Sequence, residues 1–301
     1  VIENRTLKNL YEAPLMLEES GFSDVVCREL NIEASKPDLE EWEQMVDHIQ
    51  NRPGEVHIGL VGKYVKLHDA YLSVAEALDH AGYERDTFVK IHWIDSEKIT
   101  KENANEVLKD PDGIIIPGGF GNRGIEGMIL SAKYARENHI PYLGICLGMQ
   151  VAVIEFARNV AGFKDAHSGE FDETCADKVI DFIPGQREEK DKGGTLRLGS
   201  YPCSIKSGTK MAECYGDIII YERHRHRYEF NNEYREVLTE AGLVISGTSP
   251  DGRLVETVEL HEQPFFVGVQ FHPEFKSRPN QPHPLFKEFI GAALKKSKQN
   301  K

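Results

Sequence analysis

The chain lacks what would mark a membrane protein, a disulfide-stapled scaffold or a nonspecific nucleic-acid binder. Its apolar runs, such as 114–117 and 142–146, fall far short of the roughly 20 residues a spanning helix needs. No basic-then-apolar leader opens it, so secretion is not expected. Cysteine is sparse and scattered: Cys27, Cys146, Cys175, Cys203 and Cys214, an odd number without a C-x-x-C pair. Neither a zinc site nor a disulfide framework is expected, and a reducing, cytoplasmic setting fits best. Positive charge is in deficit, with 36 Lys and Arg against 49 Asp and Glu, a formal net charge of −13. Nonspecific nucleic-acid binding needs a positive surface that displaces counterions. Neither nucleic acid nor membrane is therefore an expected partner. What is there, 301 residues that are 40% hydrophobic and 28% charged, suits one large globular domain or a domain with a smaller attachment. The first residue is Val1 rather than Met, and a longer product is expected.

Residues 1–52 are acidic and broken by proline, and hold no complete strand–helix unit. They read as a linker or the tail of a preceding domain. From 55 onward the pattern is regular. The run 56–61 is a buried strand ended by Gly62, and 69–80 carries Ala70, Val74, Ala77 and Leu78 at the spacing of a helix face. Strands follow at 88–94, 113–117 and 142–146, with helices at 127–137 and 148–160. Strands alternating with helices predict a mostly parallel sheet covered on both faces. The second half is strand-rich, at 179–183, 194–200, 217–228, 243–246, 254–260 and 265–271, with helices at 210–215, 232–241 and 284–295. Antiparallel additions to an open α/β core are expected there. The charged, aperiodic stretch 186–192 reads as a surface loop.

Gly144-Ile145-Cys146-Leu147-Gly148 has the form G-x-C-x-G between an apolar strand and an apolar helix, the context of a nucleophile elbow. A buried cysteine is ordinarily a small hydrophobe. Here a tight turn would strain Cys146, and the amino end of the next helix would favour its thiolate. The Leu147 amide would be placed to donate to an oxyanion. A thiolate attacking a carbonyl needs a proton carrier held by a third group. His272-Pro273-Glu274, at the end of the 265–271 strand, is the best pair among 12 histidines. On an extended chain, residues two apart share a side.

Two motifs mislead. Gly119-Phe120-Gly121-Asn122-Arg123-Gly124 matches a dinucleotide fingerprint, yet it follows the third strand and has no acid about 20 residues on. As a glycine-rich loop beside the elbow it would supply a second oxyanion N–H. Gly62-Lys63 imitates a P-loop ending, but His57 stands at the first glycine position and Tyr64 replaces Ser or Thr. The run 221–228, with Arg223, Arg225 and Arg227, is the one dense basic stretch. It suits a substrate carboxylate better than a metal ion, since guanidinium offers a bidentate fork.

The motifs Gly118-Gly119-Phe120-Gly121, Gly144 through Gln150 and His272-Pro273-Glu274 resemble the class I, triad-type glutamine amidotransferases. Val61-Gly62-Lys63-Tyr64, the stretch 193–199 and Glu222 through Tyr228 resemble the carboxy-terminal domain of the CTP synthase family within that class, from about Tyr11 to Phe289. The resemblance implies the amidotransferase fold with its flavodoxin-like core over residues 53–301, and the end of a synthetase domain plus linker over 1–52. It implies glutamine hydrolysis through a thioester on Cys146, with His272 shuttling protons and Glu274 behind it. Gly119 and Leu147 would hold the oxyanion, Gln150 would line the site, Glu170 would bind the amino group of glutamine and Arg227 would lie at its carboxylate. Ser168-Gly169-Glu170 departs from a common Ser-Thr-Glu pattern. GTP would activate, with Phe120 and Arg227 as candidate contacts. No cofactor is expected in this domain. ATP, Mg²⁺ and UTP would belong to a synthetase domain that receives channelled ammonia, in a homotetrameric enzyme, so this chain alone is not expected to make CTP. A γ-glutamyl hydrolase or cysteine peptidase with the same triad is the alternative enzyme, and an inactive assembly module the non-enzyme one.

Overall fold

The computed structural model describes residues 2–182 and 197–299. The loop expected at 186–192 and residues 193–196 of the glycine motif lie outside them. The chain divides into two compact units, Val1–Gly54 and Glu55–Lys301.

The first unit holds helices α1 (Ala13–Glu19), α2 (Phe22–Leu30) and α3 (Glu40–Gln50). Gly21, at φ 72°, turns α1 into α2, a left-handed conformation that costs glycine least. Met16, Val46 and Ile49 are buried, and Trp42 Nε1 donates to the Tyr11 carbonyl at 2.7 Å.

In the second unit the order is β1 (Gly54–Gly62), α4 (Leu72–Glu84), β2 (Thr87–Asp95), α5 (Ala104–Val107), β3 (Gly113–Ile116), α6 (Ile125–Glu137), β4 (Tyr142–Ile145) and α7 (Leu147–Asn159). There follow β5 (His167–Ser168), β6 (Lys178–Phe182), β7 (Arg197–Ile205), α8 (Lys210–Tyr215), β8 (Ile219–His226), β9 (Tyr228–Phe230), α9 (Arg235–Glu240), β10 (Val244–Thr248), β11 (Val255–Glu259), β12 (Phe266–Val269) and α10 (Pro284–Gln299). Among the described residues nine strands form one sheet in the order β2-β1-β3-β4-β12-β11-β10-β7-β8. Its centre, β1-β3-β4-β12, is parallel, and β11, β10, β7 and β8 extend it antiparallel. This is the expected α/β architecture.

The central strands read as continuous apolar runs because both faces are covered. Ile114 and Ile116 join the core under α6 and α7. Ile115 between them joins the core under α4 and α10. On β4, Tyr142 faces the first core while Leu143 and Ile145 face the second. The period-2 alternation of a strand thus feeds two cores from one sequence run.

Two expectations are corrected. The single strand over 217–228 is two strands, because β8 pairs with β7 in the main sheet while β9 pairs with β6 in a three-stranded sheet. The break falls at Arg227, where the burial alternation of β8 ends, and no glycine or proline marks it in the sequence. The strand over 265–271 stops at Val269. His272 then caps a 3-10 turn, Pro273–Lys276.

Candidate active site

Parallel strands open their carboxyl ends toward one crevice, the usual place for a site in such sheets. Cys146 sits where β4 ends and α7 begins, with φ 52° and ψ −98°. A non-glycine residue there is strained. The surroundings impose it. The Cys146 N–H donates to the Val269 carbonyl at 2.7 Å, and its own carbonyl accepts from the Gln150 N–H at 3.2 Å. The flanking glycines are steric necessities. A Cβ on Gly144 would lie 2.6 Å from the Gly148 carbonyl, and one on Gly148 would lie 2.1 Å from the Ile116 oxygen.

His272 Nδ1 and Glu274 Oε1 are 2.8 Å apart, and the Glu274 side chain is buried. The His272 N–H donates to the Arg223 carbonyl at 2.8 Å, which ties the turn to β8. The two side chains meet as the H-x-E spacing suggests, although the intervening backbone is a capped turn rather than extended chain. A Cβ on Gly118 would lie 2.8 Å from His272 Cε1 and 3.6 Å from Cys146 Cβ, so imidazole and nucleophile close on one point. Burial opposes charge on the His272 ring. Cys146 and Glu274 outweigh it, and the pKa rises to about 10. The arrangement favours an imidazolium beside the sulfur.

One residue escaped sequence reasoning. Gln270 is fully buried, and its Nε2 donates to Cys146 Sγ at 3.5 Å. Its orientation follows from a chain of amides. The Tyr228 carbonyl can only accept, so Gln150 turns Nε2 toward it at 3.0 Å. The same Nε2 reaches Gln270 Oε1 at 3.2 Å, which leaves Gln270 its donor for the sulfur. The only signal in the sequence is a polar residue inside an apolar strand run. Gln150 accordingly lies behind the nucleophile, tied to Gln270.

Opposite the elbow, residues 118–121 follow β3. Gly119, Phe120, Cys146, Arg225 and His272 line one cavity of about 370 Å³, in the range of small-molecule pockets. Leu147 is buried as the first residue of α7, and a Cβ on Gly119 would lie 3.2 Å from its Cδ2. Glu170 Oε1 accepts from the Gly121 N–H at 2.8 Å. Burial raises the Glu170 pKa against that bond and the charges of Lys63 and Arg227. The basic run is thereby divided. Arg223 and Arg225 are exposed on β8, with Arg225 5.7 Å from the Phe120 ring, whereas Arg227, at the break, is near enough for its charge to act on Glu170. The glycines of the false dinucleotide motif serve the backbone: Gly121 (φ 74°) and Gly124 (φ 69°) are left-handed, and Gly124 caps α6.

The glutamine amidotransferase class-I family model matches residues 66–292, which contain the elbow and the His–Glu pair. The chain belongs to this family. Among solved structures, this amidotransferase is similar to the glutaminase domain of Trypanosoma brucei CTPS with bound acivicin. The two are 42% identical, with a TM-score of 0.75 over 80% of this chain and 94% of that one. Similar curated proteins include the CTP synthase of Carboxydothermus hydrogenoformans, 62% identical over 99% of this chain and 56% of the relative. That of Clostridium acetobutylicum is 57% identical over 97% and 55%. The chain thus spans about half the length of the curated relatives it matches. Among the described residues no helix is long and apolar enough to cross a membrane, and no group of His, Cys, Asp and Glu is arranged to hold a metal ion.

Proposed function

We propose that this amidotransferase hydrolyses L-glutamine and, as the glutaminase part of a CTP synthase, supplies ammonia for the ATP-dependent conversion of UTP to CTP. The observation that carries the reading is the strained, buried Cys146 closing on the same point as the His272–Glu274 pair.

In this reading Cys146 Sγ attacks the side-chain amide carbon of glutamine. The N–H groups of Gly119 and Leu147 stabilise the oxyanion. His272 Nε2 gives its proton to the departing nitrogen, so ammonia leaves and a γ-glutamyl thioester remains. His272 then takes a proton from water as it attacks, and collapse of the second intermediate frees glutamate and the thiolate. Glu274 holds the ring in one tautomer and supports its charge. Glu170 binds the α-ammonium and Arg227 the α-carboxylate. A raised carboxyl pKa caused by burial fits a group that gains a cationic partner when substrate enters. Gln150 lines the site through Gln270.

The remaining proposals concern the whole enzyme. Residues 1–52 are the end of a synthetase domain plus linker, and 53–301 the glutaminase domain. ATP, Mg²⁺ and UTP belong to the part of the relatives that this chain does not cover. The working enzyme is a cytoplasmic homotetramer in which ammonia passes between domains. GTP activates it near Phe120 and Arg227, where an exposed ring lies beside the Arg225 guanidinium.

A glutamine-derived diazoketone tests the core of the reading. It should label Cys146, as located by mass spectrometry, and Cys146→Ala should abolish labelling; full labelling of the Ala variant sinks the assignment. Turnover of glutamine rather than γ-glutamyl peptides separates a glutaminase from a γ-glutamyl hydrolase.

A further inference from the structure

The motif that imitates a P-loop has a different use. Gly62 ends β1 with the Tyr71 ring against its α-carbon, where a Cβ would come within 2.8 Å of three ring and hydroxyl atoms. The Tyr71 hydroxyl accepts the N–H groups of Lys63 (3.0 Å) and Tyr64 (3.3 Å). This holds Lys63 so that its side chain is buried, 5% exposed. Its stem passes Gly119, where a Cβ would lie 3.7 Å from Lys63 Cε. The ammonium then donates to the carbonyls of Phe120, at 2.9 Å, and Gly121.

The Phe120 carbonyl and the Gly121 N–H belong to one peptide unit. The carbonyl edge is held by the Lys63 ammonium, and the amide edge by the Glu170 carboxylate at 2.8 Å. A half-turn of that peptide would break both charge-assisted bonds at once and turn each edge toward a charge of the wrong sign. Such a lock is useful in this loop, because Gly118, Gly119 and Gly121 give it little stiffness of its own.

We infer that Lys63 is a positioning residue that locks the 118–121 loop in the shape that presents the Gly119 N–H to the oxyanion, with Glu170 as its counterpart on the other edge. The inference rests on the glutaminase reading of the site. It gives Glu170 a second duty besides the substrate ammonium, and it couples substrate binding to loop order, since the carboxylate that greets the substrate also pins the loop.

Burial lowers the Lys63 pKa to about 8; Glu170 and Glu97 work against that shift and Arg123 with it. The aromatic neighbours are Phe171, 5.9 Å from the ammonium, and Tyr71, whose hydroxyl burial keeps protonated. The lock is therefore charged below about pH 8 and loses its charge above it, before His272 at about 10.

The test compares Lys63→Met and Lys63→Arg with the unaltered chain in two assays, glutamine hydrolysis and alkylation of Cys146 by iodoacetamide. Alkylation at carbon needs the thiolate but no oxyanion donors. Lys63→Met should lower kcat about a hundredfold, the usual loss for a missing oxyanion donor, while alkylation of Cys146 keeps its rate. The fall in kcat above pH 8 should be present in the unaltered chain and absent in Lys63→Arg, whose guanidinium stays charged. Unchanged kcat in Lys63→Met, an equal loss of turnover and alkylation, or an alkaline limb retained in Lys63→Arg would each overturn the inference. No turnover by the unaltered chain, with Cys146 still alkylated, would instead overturn the glutaminase reading itself.

Discussion

Replacing Gln270 by leucine removes the side-chain amide that donates to Cys146 Sγ while keeping the buried volume nearly filled. The lost bond is to a group that carries negative charge when it reacts. Hydrogen bonds to charged groups contribute about 1.5–3 kcal/mol, or roughly 10- to 150-fold at about 1.4 kcal/mol per decade. A contact of 3.5 Å to sulfur belongs at the weak end, so alkylation of Cys146 at neutral pH should slow about tenfold. Gln150 keeps its bond to the Tyr228 carbonyl, and the fold should be little affected. The assay is iodoacetamide labelling read peptide by peptide. Burial pushes the Cys214 thiol up to about 12 and the Cys203 thiol higher still, so neither should contribute. Gln270→Glu is the control for shape. It retains an acceptor for Gln150 but faces the sulfur with a carboxylate oxygen, and it should slow labelling further than leucine does. Equal rates in all three proteins would refute the amide chain, and equal slowing in both variants would reduce it to packing.

Two further predictions concern burial and close contact. Gly148→Ala places a methyl 2.1 Å from the Ile116 oxygen and should cost at least about 1–3 kcal/mol, the usual range for overpacking. An unchanged melting temperature would show that α7 can shift freely. Glu229 is buried, and desolvation with the nearby Glu256 charge pushes its pKa up to about 8, against Arg197. A carboxyl raised in the fold contributes stability that is full below about 4.5 and lost as pH rises through 8. The melting temperature should therefore fall across that window, and Glu229→Gln should flatten the decline; the same slope in the variant would refute the assignment.

Much of this protein is legible in local sequence because local rules apply. The runs at β1, β3 and β4 announce buried parallel strands, since both faces are covered and no polar alternation is required. The glycines around Cys146 announce the elbow, since any Cβ at Gly144 or Gly148 collides with backbone. Where a rule depends on pairing partners, local sequence is silent. No glycine or proline between Ile219 and Tyr228 marks where β8 gives way to β9 and to a different sheet, yet that break sets Arg227 apart from Arg223 and Arg225. His272 and Glu274 meet, but through a turn tied to the Arg223 carbonyl, a contact no spacing rule contains.

By itself the sequence determined the order of strands and helices, the strained turn at Cys146 and the pairing of His272 with Glu274, because each depends on residues within a few positions of one another. Only the tertiary structure decided which charges act together. Lys63, the Phe120–Gly121 peptide and Glu170 come from three separate stretches, and Gln150 and Gln270 are 120 residues apart. The parallel sheet brings the ends of β1, β3, β4 and β12 to one edge, and Glu170, just after β5 of the smaller sheet, meets the 118–121 loop there. There single hydrogen bonds and single charges hold the shape of a glycine loop, and a buried amide meets the Cys146 sulfur.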